Sequence, residues 1–300
     1  VPESAVRPST LGALAALWLC WGTSFPAIRV LVATLPPLSA MGAVFLVAGL
    51  ALAVTRPHAL RGLRRREVAT AAGVGVGLLG SQGLVAVAER HVFAGVAALL
   101  AAAIPLWVAG FRATLGDRPD RKGLLGLFCG LGGIVVVLGP GSGAPFGWSS
   151  WALLVVAATV SWAAATLWAS RSASLPGPLP ATVVQLLAGG LVLLTTGALT
   201  GELAGLTPGA VEPASLGALG YLVLVDSLAG FALYNRLLRT APVALVSTYA
   251  YMVPVVAYAV GVLMLGEPFE PVTLLGAALI LAGVAAETAR PKPHPRRASR

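Results

Sequence analysis

The sequence predicts an all-α integral membrane protein of ten transmembrane helices arranged as two inverted five-helix repeats. Three observations predict it: an apolar composition divided into ten runs, a one-sided distribution of cations, and self-similarity of the chain at a shift of about half its length. Of 300 residues, 57% are hydrophobic and 10% charged, against roughly 25% charged in an ordinary soluble domain. With about 20 apolar residues per crossing, ten crossings use about 200 residues. What remains is short loops and tails, with no room for a soluble domain.

The runs cover residues 11–32, 38–55, 68–88, 92–111, 123–139, 151–169, 181–199, 215–235, 243–264 and 272–288. The first is too long for the apolar region of a signal peptide and is read as a permanent helix. The domain reading is a cytoplasmic tail at 1–10, a first repeat at 11–140, a second at 141–288 and a basic cytoplasmic tail at 289–300. The Pro-rich segment Ser170 to Pro180 reads as a linker between halves, and the Pro- and Arg-rich end from Arg290 as a disordered, solvated tail.

Orientation follows from the cations. Arg56, Arg61, Arg64, Arg65 and Arg66 lie between runs two and three. Arg112, Arg118, Arg121 and Lys122 lie between four and five, and Arg290, Lys292, Arg296, Arg297 and Arg300 after run ten. With Arg7, Arg171, Arg236 and Arg239, alternate crossing puts 18 of the 20 cations on one side. That side is cytoplasmic by the positive-inside rule, so both termini are inside. The opposite loops hold Arg29 and Arg90, with Glu89, Glu202, Glu212, Glu267 and Glu270. The formal charge of +9 is therefore a topology signal, and no nucleic-acid partner is expected. Trp148 and Trp151, at the outer start of run six, fit an interfacial aromatic belt.

Shifting the chain by 150 residues aligns Gly116-Asp117 with Gly266-Glu267, Asp120 with Glu270, Leu124-Leu125-Gly126 with Leu274-Leu275-Gly276, and Gly133 with Gly283. At a shift of 149, Pro105 meets Pro254 and Arg90 meets Arg239. Five is odd, so a second five-helix copy enters the membrane from the opposite side. Two similar halves in opposite orientation can form alternative states open to either side, although duplication can also persist by descent alone.

Trp21-Gly22-Thr23-Ser24-Phe25 followed by Arg29 resembles the opening motif of EamA-type transporters of the drug/metabolite transporter superfamily. Pro254, then Gly266-Glu267-Pro268, then Leu274-Leu275-Gly276-Ala277-Ala278-Leu279-Ile280-Leu281-Ala282-Gly283-Val284 is similar to that family's last two helices. Asp117-Arg118 departs from it, since the family often has Glu there. The resemblance implies bacterial inner-membrane transport, often export of amino acids, other metabolites or drugs. It also implies a central cavity from spans one, three, four, six, eight and nine, with five and ten peripheral.

Chemistry-bearing residues are few. Cys20 and Cys129 lie in apolar runs without a CxxC pair or a Cys/His cluster, so neither a disulfide nor a metal site is indicated. No GxxxxGK[ST] occurs, which argues against primary ATP-driven transport by this chain, and no cofactor is implied. Gly73, Gly75 and Gly77, Gly130 to Gly133 and Gly276 to Gly283 read as packing seams. Pro26, Pro105 and Pro254 each remove a helix bond inside a span; kinks beside a pathway and purely structural kinks fit equally.

Asp226 sits at the centre of span eight, where an ionised carboxylate costs several kcal/mol unless it faces water, faces a partner or is protonated. It is the one mid-span acid, read either as a substrate-amine or proton-coupling site, with Gln82 or Tyr249 as hydrogen-bond partner, or as a structural bond to a neighbouring helix. Trp18 and Trp21 share a helix face, and Trp107, Trp162, Trp168, Tyr249, Tyr251 and Tyr258 add aromatic surface, for packing or for holding a ring or amine. Trp21 and Trp162 occupy similar places in the two repeats. The expected solute-binding set is Trp21, Gln82, Trp107, Trp162, Asp226 and Tyr249. Gln185 lies outside the cavity set that the resemblance implies.

The leading expectation is a secondary active transporter, an exporter of small metabolites such as amino acids or drug-like solutes, with the lipid bilayer as its surroundings. A membrane-embedded enzyme is the alternative from another class. It lacks support from His58, His91 and His294, which lie in loops or at a helix edge. A non-transporting membrane assembly protein is the third class, and it would call for a soluble output domain.

Overall fold

The computed structural model describes residues 8–116, 121–139, 149–204, 206–207, 209, 211–240 and 249–288. Among these the regular structure is helical, with no strand. The helices are α1 (Pro8–Gly22), α2 (Ser24–Thr34), α3 (Pro37–Thr55), α4 (Arg65–Ala88), α5 (Ala94–Ala101), α6 (Ile104–Thr114), α7 (Arg121–Leu138), α8 (Ser150–Arg171) and α9 (Pro178–Leu199). They continue with α10 (Pro213–Tyr221), a π-helical stretch Leu222–Gly230, α11 (Phe231–Thr240), α12 (Tyr249–Leu265) and α13 (Pro271–Thr288). Seven segments are long and apolar enough to cross a membrane: Ser9–Thr34, Pro37–Thr55, Arg65–Ala88, Ala94–Thr114, Ser150–Arg171, Pro178–Leu199 and Pro213–Tyr234. Three apolar helical segments, Gly123–Val137, Tyr251–Leu265 and Pro271–Ala286, are shorter. This is a multi-pass membrane protein.

Two of the expected kinks are breaks between helices. Pro26 has no N–H to offer the Gly22 carbonyl, and α1 ends there. α2 restarts at Ser24 with Pro26 in its first turn, where a missing donor costs little. Pro105 stands at the second position of α6, just after the tightened turn at Ala102 and Ala103. Pro254, its aligned partner, lies inside α12 instead.

Glycines set the closest helix pairs. A Cβ on Gly283 of α13 would lie 2.5 Å from the Gly126 carbonyl oxygen and 2.6 Å from the Gly130 nitrogen of α7, and one on Gly133 would lie 2.7 Å from the Gly276 oxygen. The α3–α9 pair repeats the pattern, with Gly42 against Leu194 and Gly190 against Leu46, and α4 meets α9 where Gly75 lies on the Gln185 backbone. In an apolar solvent, helix association depends on such close van der Waals approach. Further contacts join α4 to α8, α2 to α10, α5 to α12 and α1 to α12.

The charged ends are tied by hydrogen bonds. Glu202 accepts from the Leu38 and Ser39 N–H groups (3.2 and 2.9 Å) and from the Ser39 hydroxyl (2.9 Å) at the start of α3. Glu267 accepts from Ala94 and Gly95 (2.6 and 3.0 Å) at the start of α5. A helix start leaves orphan N–H groups and favours negative charge, so these acids act as caps supplied from elsewhere in the chain. The left-handed φ of +67° at Gly266 ends α12 and turns Glu267 back toward α5. Gly116, its aligned partner, has φ +94°. At the opposite end Thr70 and Ser174 hydroxyls meet at 2.8 Å. Trp148, Asp117, Arg118, Asp120, Arg7 and the tail from Arg290 lie outside the described residues.

Candidate functional site

The break at Thr23 and the π-helical stretch face each other. A π-helix closes i→i+5 hydrogen bonds and is found mostly as short insertions, often at functional sites. Here it carries Asp226, one wide turn beyond Tyr221, opposite the start of α2. Ser24 Oγ donates to Asp226 Oδ1 at 2.5 Å, and the Ser227 hydroxyl lies at 3.5 Å from Oδ2. The Ser24 hydroxyl is also 3.0 Å from the Cys20 carbonyl. With one proton it can serve one acceptor at a time, so its direction depends on whether Asp226 holds a proton. Beside it, Thr23 Oγ1 and the Tyr221 hydroxyl meet at 2.6 Å.

An aromatic group adjoins this polar cluster. Trp21 lies 5.2 Å from Tyr234 and 4.9 Å, edge-on at 81°, from Tyr249, and the two tyrosines are 5.8 Å apart. Gly230 makes room for it, because a Cβ there would strike the Trp21 indole nitrogen. Leu14, Leu17 and Leu237 pack the side of the group toward the start of α1. The arrangement is an acid on the π-helical stretch and an aromatic group that packs on Gly230 of the same stretch; a carboxylate and aromatic rings are the groups that attract an ammonium ion.

Of the expected residues, the structure gathers Trp21, Asp226 and Tyr249. The hydrogen-bond partners of Asp226 are Ser24 and Ser227, not Gln82 or Tyr249, because the break at Thr23 brings the α2 start against the π-helical stretch. Trp107 is engaged elsewhere: its indole donates to Thr159 Oγ1 of α8 at 3.0 Å. Trp162 and Gln82 are half-buried on α8 and α4, whose contact includes a Ser161 hydroxyl bond to the Gly77 carbonyl at 3.1 Å. Trp151, expected in an interfacial belt, stacks on His91 at 4.1 Å. Trp168 lies against Gly73. Among the described residues no His, Cys, Asp and Glu group of three or more is placed to hold a metal.

Sequence reasoning missed Ser24, Tyr221, Ser227 and Tyr234. Thr23-Ser24 lies within the quoted motif, but a hydroxyl in an apolar helix reads equally as a bond to its own backbone. The π-helical stretch that aims Asp226 has no composition signal.

The EamA-like transporter family model matches the chain twice, over residues 9–139 and 149–286. The two matches are separated by residues 140–148, while the Ser170 to Pro180 segment, read as a linker, lies inside the second match and holds the short turn between α8 and α9. The uncharacterized inner membrane transporter YedA of Escherichia coli (strain K12) is 34% identical over 280 residues, 91% of this chain and 88% of that protein. The probable terminal-alkyne amino-acid exporter of Streptantibioticus cattleyicolor is 31% identical over 276 residues, 88% of each chain. A solved protein crystal structure with 23% identity shares the fold at a TM-score of 0.61, covering 94% of this chain and 97% of that one. With both halves matched by one family model and a relative above 30% identity along nearly its whole length, the chain belongs to the EamA-like transporter family and is a membrane transporter rather than an enzyme.

Proposed function

We propose that this transporter is a secondary active exporter of small amine-bearing metabolites, amino acids foremost, working by alternating access in a bacterial inner membrane. The observation that carries the reading is the Asp226–Ser24 contact flanked by Trp21 and Tyr249. It joins the first helix of one half to the third span of the other, across the interface that rocking halves must open. An amine and a proton compete for one carboxylate, and that competition is the basis of exchange. The relative named as an amino-acid exporter supports the substrate class.

Ten crossings as two inverted repeats underlie this mechanism, and the helix pairing supports them. The α7–α13, α3–α9 and α5–α12 pairs each join an element to its counterpart in the other half, and α4–α8 has its counterpart in α2–α10. The charge map supports cytoplasmic termini. Single-cysteine labelling in intact cells tests this: an impermeant reagent is expected to reach position 269 and not position 64, and the reverse pattern would falsify the orientation.

The function is tested by loading proteoliposomes with a metabolite panel, with and without an imposed pH gradient. Gradient-dependent movement of an amino acid is expected; a panel that stays put under both conditions overturns the reading. In the same assay Trp21→Ala removes the ring beside Asp226, and loss of one cation–π partner, about 1.4 kcal/mol, predicts about a tenfold weaker half-saturation. Trp168→Ala, on a ring packed against Gly73, is expected to change it less than about twofold. Equal effects at matched protein levels would remove Trp21 from the cavity.

A further inference from the structure

The acidic end of the bundle contains a group that the Asp226 site does not use. Glu89 follows α4 and is 0% exposed, and neither of its carboxylate oxygens has a hydrogen-bond partner. Buried polar groups are nearly always paired, so an unpaired pair of oxygens calls for an explanation. The charged groups facing it are Glu267, from the segment between α12 and α13, and Arg29 of α2.

Both neighbours are already engaged. Glu267 accepts from the two N–H groups that open α5. The Arg29 guanidinium donates to the Glu89 carbonyl oxygen and, at 3.4 Å, to that of Val92, so it points at the backbone of the α4–α5 turn. On the same turn Arg90 donates to the Leu35 carbonyl at 3.1 Å and His91 stacks on Trp151. One half-buried cation thus faces two acids. Arg29 can balance the charge of one acid, and an ionised Glu89 would add a buried negative charge without a hydrogen bond. Burial and the like charge of Glu267 both push the Glu89 carboxyl above the usual range, against the opposing pull of Arg29.

We propose that Glu89 is a second proton-binding site of the transporter, holding a proton while the α4–α5 turn is closed over Glu267 and releasing it when that end opens to water. In the step the carboxyl O–H bond breaks, the proton passes to water, and the carboxylate left behind is hydrated and attracted by Arg29. The inference rests on the transporter reading but not on the role of Asp226. The two acids lie in different places: Asp226 between α2 and the π-helical stretch, Glu89 at the turn that Glu267 caps.

Infrared difference spectroscopy of the full chain in lipid nanodiscs, titrated with acid and base, reads the proton directly and needs no solute. The parent is expected to show a protonated carboxyl band at neutral pH that is missing in Glu89→Gln. Glu267→Gln keeps an acceptor for the α5 start but removes the like charge, so the midpoint of the band should move down by about one pH unit. A band that Glu89→Gln leaves intact, or a midpoint unmoved in Glu267→Gln, overturns the proposal. Phenylalanine counterflow without a pH gradient, run on the same preparations, separates the two readings. Its retention in Glu89→Gln keeps the transporter reading whatever the infrared result, and its absence from the parent counts against that reading while the infrared band still decides Glu89.

Discussion

Asp226→Asn is expected to abolish accumulation of solute on a pH gradient while sparing exchange of solute for solute. Asparagine keeps the size of the side chain and can still accept from Ser24, so the cavity should persist. It cannot bind and release a proton, so a gradient of one pH unit, worth about 1.4 kcal/mol per proton, no longer drives the cycle through this site. Accumulation should therefore fall to equilibrium, a loss of about tenfold for each pH unit imposed. Ser24→Ala is the companion. It removes the one hydroxyl that switches between the Asp226 carboxylate and the Cys20 carbonyl, and a charge-assisted hydrogen bond is worth about 1.5–3 kcal/mol. Gradient-driven accumulation by Ser24→Ala should therefore fall by about tenfold. Accumulation by Asp226→Asn equal to that of the parent would leave Asp226 as a structural bond between α2 and the π-helical stretch.

The legible part of this molecule was what depends on composition and periodicity. Long apolar runs between charged turns place helices in water or lipid almost regardless of their neighbours. The described helices fall on the expected runs with ends displaced by a few residues, as at Arg65 and Thr114. Glycine spacing in residues 130–133 and 276–283 announced a seam because only a missing Cβ lets two backbones touch, and α7 and α13 meet there. Asp226 stood out because its cost in a membrane is large and nothing nearby in sequence offsets it.

What stayed hidden depends on geometry between distant segments. Ser24 and Asp226 are 202 residues apart, and only the break at Thr23 and the widened π turns bring them together. Tyr234 lies at the end of its apolar run and reads as a boundary residue, yet it closes the aromatic group around Trp21. Glu89, Glu202 and Glu267 read as acids of polar loops. Two of them reach across to cap helices far away in the chain, and the third is buried. A charged residue next to an apolar run gives no indication of which way its side chain turns. Ser170 to Pro180, read as a linker, lies inside the second match, since prolines mark a turn but do not distinguish a turn inside a repeat from one between repeats.

The largest stability effect is expected at Gly283, and its sign is opposite to that at Gly132. Replacing a helical glycine by alanine ordinarily stabilises by about 0.5–1 kcal/mol, because alanine has less backbone freedom to lose. At Gly132 a Cβ would meet nothing within 4 Å, so Gly132→Ala should raise the melting temperature in detergent slightly. At Gly283 the same methyl group would lie 2.5 Å from the Gly126 carbonyl oxygen and 2.6 Å from the Gly130 nitrogen. Both are backbone atoms, so no rotamer change can relieve the overlap and α13 must move away from α7. That separation opens the seam that Gly133 and Gly276 form along the same pair, and overpacking of this kind costs about 1–3 kcal/mol. Gly283→Ala should therefore lower the melting temperature by several degrees, and Gly283→Val should lower the yield of folded protein further. A Gly283→Ala protein as stable as Gly132→Ala would mean that α7 and α13 do not meet through these glycines.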